Sequence, residues 1–156
     1  MSQKSSLPQV IQSVSRVLPP DTRRENWRYL RESLGGLEDV LVLPQATPRS
    51  DPSWFGFCLT LRDDALIDRE HMLRWLNDER NIGTRLLFGG NLLRQPYMKG
   101  RAHRAVGNLT ASDTVMRRTF WTGVYPRLGS QQLDYVAESL KTYLRKKLAA
   151  ARPLRS

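Results

Sequence analysis

Apolar positions along the chain switch several times between helical and strand-like spacing. In a Ser-, Gln- and Pro-rich opening, Val10, Ile11, Val14, Val17 and Leu18 form a short apolar pattern before Pro19-Pro20. This reads either as one helix of low stability ended by the prolines or as a disordered segment over residues 1–20. Trp27, Leu30 and Leu34 then recur at helical spacing, which predicts a helix from a cap at Asp21 or Thr22 to Leu34, stopped by Gly35-Gly36. Val40–Leu43 reads as a short strand and Pro44 to Pro52 as a loop. Trp54–Leu61 is almost continuously apolar and rich in aromatic residues, so a strand buried on most sides is expected. Asp68 is expected to cap a helix over Arg69–Asp78 that buries Met72, Leu73 and Leu76. A short helix is predicted from Ser112 or Asp113, with Val115 and Met116 inward, then a strand over Phe120–Val124 and a turn at Tyr125-Pro126. Ser130 is placed as the cap of a long helix whose apolar face is Leu133, Val136, Ala137, Leu140, Tyr143, Leu144 and Leu148. Helices and strands alternating through short links predict an α/β fold, a compact α+β sandwich with one small sheet flanked by helices.

One stretch, Asn81 to Tyr97, fits neither period. Ile82, Leu86, Leu87, Phe88, Leu92 and Leu93 are expected to anchor it to the core. Gly83, Gly89 and Gly90 permit tight turns or close backbone approach, and Pro96 stiffens the exit. Between the anchors stand Arg85, Asn91, Arg94 and Gln95. Two guanidiniums and two amides on a stiff loop suit an anionic, polyhydroxylated ligand, since guanidinium binds phosphate bidentately. Arginines that satisfy carbonyls or pair with carboxylates would give the same pattern.

The 156 residues suffice for one domain with a real core, and 40% apolar with 26% charged residues is ordinary for a globular protein. No apolar run approaches a membrane span, and the N-terminus lacks a signal peptide's apolar segment, so a cytoplasmic setting is expected. Cys58 is alone, so neither a disulfide, a Cys-rich zinc site nor an iron–sulfur cluster can form from this chain alone. The net charge of +10 raises the question of nucleic acid. Its cations are dispersed, however, from Arg23-Arg24 through Arg101, Arg104 and Arg117-Arg118 to Arg145-Lys146-Lys147, and no nucleic-acid-binding motif accompanies them. A solvated arginine-rich surface is the preferred reading.

Little else offers chemistry. His71 and His103 have no ligand-like spacing, Ser53 lacks the glycines of a nucleophile elbow, and Gly89-Gly90 is neither a phosphate loop nor a dinucleotide fingerprint. Lys99 sits in a Met-Lys-Gly-Arg turn expected to be solvated. No catalytic residue is assigned.

Several segments carry a resemblance: Leu43-Pro44 with Ala46-Thr47-Pro48, Ser50 to Phe57, Ile82 to Tyr97, Phe120-Trp121 with Gly123 to Pro126, and Asp134-Tyr135-Val136. Together, in colinear order over roughly residues 23–148, they resemble the C-terminal domain of the DegT/DnrJ/EryC1/StrS family of fold-type I, pyridoxal-phosphate-dependent enzymes. Within it the likeness is to the 3-dehydrases of nucleotide-linked keto sugars, of the CDP-4-keto-6-deoxy-D-glucose type in lipopolysaccharide biosynthesis. The resemblance implies a small domain with a mainly antiparallel sheet over 21–148, preceded by a non-matching segment 1–20 and followed by a basic tail 149–156. It further implies that this domain closes over a nucleotide-diphosphate keto sugar, with Arg85 and Arg94 on phosphate or sugar, Asn91 and Gln95 on hydroxyls and Phe88 packing nearby. Trp54 and Phe55 would either face the same crevice or pack in the strand core. Pyridoxal or pyridoxamine phosphate, and the iron–sulfur cluster of the CDP-sugar branch, belong to the complete enzyme, whose large domain has no counterpart here. Arg127 stands where the family usually has glycine after Tyr-Pro.

Three functions therefore stay open: part of a sugar 3-dehydrase inactive alone, a stand-alone nucleotide-sugar- or partner-binding module, and a basic nucleic-acid binder. Without a large domain, the helix carrying Trp27, Leu30 and Leu34 is expected to expose part of its apolar face and to drive self-association.

Overall fold

The computed structural model describes residues 20–62 and 67–151. The apolar pattern over Val10–Leu18 lies outside them. Helix α1 spans Pro20–Ser33. It starts on a proline, which suits a first helical position because its missing N–H would have no partner there. The expected caps, Asp21 and Thr22, therefore lie inside the first turn. Leu34 closes the helix, and Gly36, at φ +85°, turns the chain away.

Strand β1 is only Leu41–Val42, shorter than the predicted Val40–Leu43, and pairs with the end of β2, Gly56–Leu61. With β3 (Thr84–Leu86) and β4 (Thr119–Gly123) they form one antiparallel sheet in the order β1-β2-β4-β3. β2 is not buried on most sides: Phe57, Leu59 and Leu61 are buried, while Gly56, Cys58 and Thr60 alternate with them and are half-exposed. An antiparallel sheet needs only one covered face, so its strands alternate even where the sequence is apolar throughout. Leu41, Phe57, Leu59, Phe120 and Val124 meet the buried stripes of α1 and the last helix, α4 (Ser130–Ala151).

The α1 face is not exposed. Trp27, Leu30 and Leu34 are 7%, 0% and 0% accessible. Trp27 stacks on Trp54 at 4.3 Å and meets the edge of Phe57, and α4 packs alongside. The expected exposure fails because α4 and the sheet of this chain cover the stripe completely.

Asp68 caps α2 as predicted, accepting from the N–H groups of Glu70 and His71 at 2.9 and 3.3 Å. α2 is α-helical over Arg69–Arg74 and widens to a π-helix over Trp75–Glu79; Met72 and Leu76 are buried and Leu73 half-buried. From that wide turn Asn77 reaches the sheet edge. Its Oδ1 accepts from Thr84 N–H at 2.9 Å, and its Nδ2 donates to Thr84 Oγ1 at 2.7 Å and Leu73 O at 2.6 Å. The outer backbone of β3 is thus occupied at Thr84.

Helix α3 spans Thr110–Arg118, beginning before the predicted Ser112 or Asp113, and packs on the other side of β2 and β4. Val115 and Met116 are half-buried there. Arg69 ties α2 to its end, donating to Met116 O at 2.6 Å and Thr119 O at 3.2 Å. β4 begins at Thr119 rather than Phe120. At the start of α4 the capping bond is made by Gln132, whose Oε1 accepts from Gly129 N–H at 3.0 Å, so Ser130 is the first helical residue and not the cap. α4 runs to Ala151, into the segment read as a basic tail.

Candidate functional site

The stretch from Asn81 to Tyr97 leaves the core almost at once. Ile82 is buried and Thr84 sits in β3, but Leu86, Phe88 and Leu92 are 50%, 84% and 57% exposed. Only Ile82 anchors fully; Leu87 and Leu93 are half-buried. The expected anchoring fails because β3 is an edge strand, and the loop beyond it folds over α3, away from the core-lining helices. Phe88 is the odd residue. Among the described residues it is the most exposed large apolar side chain, and it holds φ +50°, a left-handed backbone that costs a bulky residue free energy.

Gly90 brings the loop down onto α3. It has φ +58°, and a Cβ there would lie 2.5 Å from Cβ of Met116. No side chain larger than hydrogen fits this approach. Just beyond it the chain turns in a 3-10 helix over Leu92–Arg94, capped by Asn91, whose Oδ1 accepts from Leu93 N–H at 3.1 Å.

The four polar residues nominated in this stretch divide. Asn91 is 4% exposed and donates through Nδ2 to Asp113 Oδ1 at 2.8 Å. Arg94 meets the same carboxylate with Nε at 3.3 Å to Oδ1 and Nη2 at 3.1 Å to Oδ2. Gln95 Nε2 donates to Gly89 O at 2.7 Å, closing the loop on itself. Asn91, Arg94 and Gln95 are thus committed to internal bonds, although the Arg94 side chain stays 59% exposed. Arg85 is exposed on β3, and its side chain donates to its own neighbour's carbonyl, Thr84 O, at 3.0 Å. It opens on a cleft of about 460 Å³ between α2 and β3, which Arg69 and Arg74 also line, with Glu70 and Asp78. Beyond the loop, Lys99, Arg101, His103 and Arg104 lie in an exposed non-regular segment with Val106.

Asp113 was missed as a site residue in the sequence, where it stood only as one of two possible starts of α3. Its carboxyl is held below the usual carboxylate range, first by the hydrogen bond from Arg94 and then by that from Asn91. The signal that would have found it is the pairing of a loop arginine with a carboxylate, which spacing alone does not locate. A second cleft, about 510 Å³, was missed as well. It lies between the segment leading into β3, the end of β4 and the start of α4, lined by Asn81, Tyr125, Gln131 and Tyr135 among others, none of them charged.

Trp54 and Phe55 do not share a crevice. Trp54 stacks on Trp27 at the core face, whereas Phe55, 70% exposed, lies against Trp121 at 4.9 Å on the opposite face. Adjacent extended residues point opposite ways. His71 Nδ1 shares a hydrogen bond with Tyr143 Oη at 2.6 Å and His103 Nδ1 with Arg101 O at 2.9 Å. Burial pushes the Cys58 thiol up, which keeps it protonated and unreactive. Among the described residues no three His, Cys, Asp or Glu side chains are grouped to hold a metal ion, and no helix is long and apolar enough to cross a membrane.

The geometry can be set beside known proteins. The family model for DegT/DnrJ/EryC1/StrS aminotransferases matches residues 16–141. A dTDP-4-dehydro-2,6-dideoxy-D-glucose 3-dehydratase of Saccharopolyspora spinosa is 52% identical over 124 residues, which is 80% of this chain and 26% of that protein. The lipopolysaccharide biosynthesis protein RfbH of Salmonella typhimurium is 46% identical over 123 residues, 79% of this chain and 28% of its own length. The chain therefore spans about a quarter of the curated relatives it matches. Among solved structures, a GDP-4-keto-6-deoxymannose-3-dehydratase with bound GDP-perosamine superimposes with TM-score 0.69 at 23% identity, over 78% of this chain and 31% of the other. The aminotransferase TlmJ of Streptoalloteichus hindustanus does so at 0.66 and 22%, over 90% and 35%. At such identity the structures share the fold. With a family match that covers most of its length and contains the whole of the loop, the chain belongs to the DegT/DnrJ/EryC1/StrS aminotransferase family.

Proposed function

We propose that this chain is the substrate-closing part of a nucleotide-sugar 3-dehydratase, with the loop from Arg85 to Tyr97 gripping the diphosphate-linked sugar. The observation that carries this reading is the 52% identity with a 3-dehydratase, confined to about a quarter of that enzyme. The site adds support. Arg85 on β3 and Arg94 in the tied-down loop are exposed guanidiniums, and Phe88, between them in sequence, exposes an apolar ring. Asn91 and Gln95, nominated for sugar hydroxyls, then serve by shaping the loop, since their amides are bonded inside it.

The chemistry of the family is carried by pyridoxal- or pyridoxamine-type cofactors, which supply an electron sink. The residues here do not fit such a group. Lys99 stands exposed in a loop, Lys141 pairs with Glu138 at 2.7 Å, Lys147 lies over the ring of Tyr143, and no described lysine lines either cleft. The cofactor, and any iron–sulfur cluster, is accordingly assigned to the portion of the relatives that this chain does not span, and the chain alone is expected to be inactive. The nucleotide is dTDP, CDP or GDP; the relatives include more than one type.

A second reading is a stand-alone nucleotide-sugar-binding module. The closed core favours it, because the α1 face is fully covered without any further domain. Calorimetric or NMR titration with dTDP-, CDP- and GDP-linked hexoses tests both. Specific binding lost in Arg85→Ala or Arg94→Ala supports them, since one charge-assisted contact is worth about 1.5–3 kcal/mol. Activity gained only when the relatives' remaining portion is supplied separates the first from the second. Equal retention of DNA and nucleotide sugars, abolished by salt, would support neither.

A further inference from the structure

We propose that Asp113 is the positioning residue of the ligand loop: its carboxylate, carried on α3, fixes Asn91 and Arg94 and so sets where the loop's exposed groups stand. The proposal deepens the reading of this loop as a nucleotide-sugar grip and rests on it.

The geometry is specific. One carboxylate serves two loop side chains far from it in sequence, Oδ1 taking Asn91 Nδ2 and Arg94 Nε, and Oδ2 taking Arg94 Nη2. Asn91 cannot rotate away, because its own Oδ1 is engaged by Leu93 N–H while its amide nitrogen faces Asp113. That double engagement orients the turn Leu92–Arg94. Gly90 seated on Met116, one turn along the same helix, is a second tie between the same two elements. The charged groups facing Asp113 are Arg94 from the loop and Arg117 from α3, the latter at 3.7 Å. One carboxylate between two guanidiniums that are 59% and 65% exposed leaves a net positive charge at the surface. An incoming diphosphate would therefore be attracted to the site without having to remove Asp113 from Arg94 entirely, because a guanidinium carries five donors.

Two readouts test this. In ¹⁵N-labelled protein the Arg94 Nε–H and Asn91 side-chain amide signals should be sharp at neutral pH and shift together on acidification. Because the partners lower the Asp113 carboxyl in the folded state, the tie is complete above the unfolded carboxylate value of about 3.9 and is lost as the pH falls through the lower folded value. In Asp113→Asn both signals should broaden or average at neutral pH and no longer titrate, with the amides of Phe57 and Leu59 unmoved as proof of fold. Affinity for dTDP-glucose should fall about tenfold or more in that variant, the loss expected from disturbing charge-assisted contacts, while Glu138→Gln on α4 binds as wild type. Loop signals that stay sharp and still titrate in Asp113→Asn overturn the positioning role, whatever the ligand does. Wild-type protein whose loop depends on Asp113 but which binds none of the dTDP-, CDP- or GDP-hexoses overturns the functional reading instead, and reduces Asp113 to a structural tie.

Discussion

Phe88 combines two features that cost a fold free energy, an exposed aromatic ring and a left-handed backbone. Its left-handed backbone costs a bulky L-residue about 1 kcal/mol or more, and its ring returns nothing to the core, being 84% exposed. Glycine would relieve the strain while adding chain entropy of roughly 0.5–1 kcal/mol to the unfolded state, so the two effects nearly cancel. Phe88→Gly is therefore expected to leave the urea midpoint almost unchanged and to weaken nucleotide-sugar binding; a variant that loses stability instead would make Phe88 a structural residue. Phe88 was nominated in the sequence as apolar and near the ligand, but its exposure was not foreseen. The reading as a core anchor failed because apolar character specifies burial only when a neighbouring element supplies a surface. Beyond Leu86 the chain leaves the sheet, and its contact with α3, through Gly90 on Met116, leaves Phe88 84% exposed. Asn91 and Arg94 were nominated for ligand hydroxyls and phosphate, whereas the partner both meet in the structure, Asp113, lies on a helix that local sequence cannot align with the loop.

Among the elements, the junction between the π-helical end of α2 and β3 fixes how the loop is launched. Asn77 spans it with three hydrogen bonds, two of them to buried Thr84. Asn77→Ala leaves the Thr84 N–H without its partner, a loss of about 1–3 kcal/mol, read as a lower unfolding midpoint in urea. Unchanged stability would mean that water replaces the amide. The helices and strands themselves were legible wherever one face is clearly apolar. Met72 and Leu76 marked α2, and Leu133, Val136, Leu140 and Leu144 marked α4. Boundaries drifted by a residue or two, and the π-helical widening was invisible, since it changes hydrogen-bond register and not composition. β2 misled for a different reason. Its Phe-Cys-Leu run is apolar on both sides, but the face carrying Cys58 and Trp121 is only partly covered, by α3. The pattern could not say which side would be left open.

Taken whole, the described residues close a core around one sheet, and their exposed large apolar groups, Phe55, Leu86, Phe88, Leu92, Tyr97 and Val106 among them, lie outside the α1 face. Most of them belong to the loop and its continuation and not to the α1 face. The chain is accordingly expected to fold cooperatively alone, and any self-association should respond to changes at Phe88 or Val106 and not at Trp27, as sedimentation would report. The most direct test of the proposed role is a chimera in which the matching quarter of the Saccharopolyspora spinosa 3-dehydratase is replaced by residues 20–151 of this chain. That chimera is expected to convert the nucleotide sugar, and to lose most of that conversion, with the cofactor still bound, when Arg85→Ala and Arg94→Ala are combined. A chimera that folds and holds its cofactor but turns over no sugar, or one indifferent to both arginines, would contradict it.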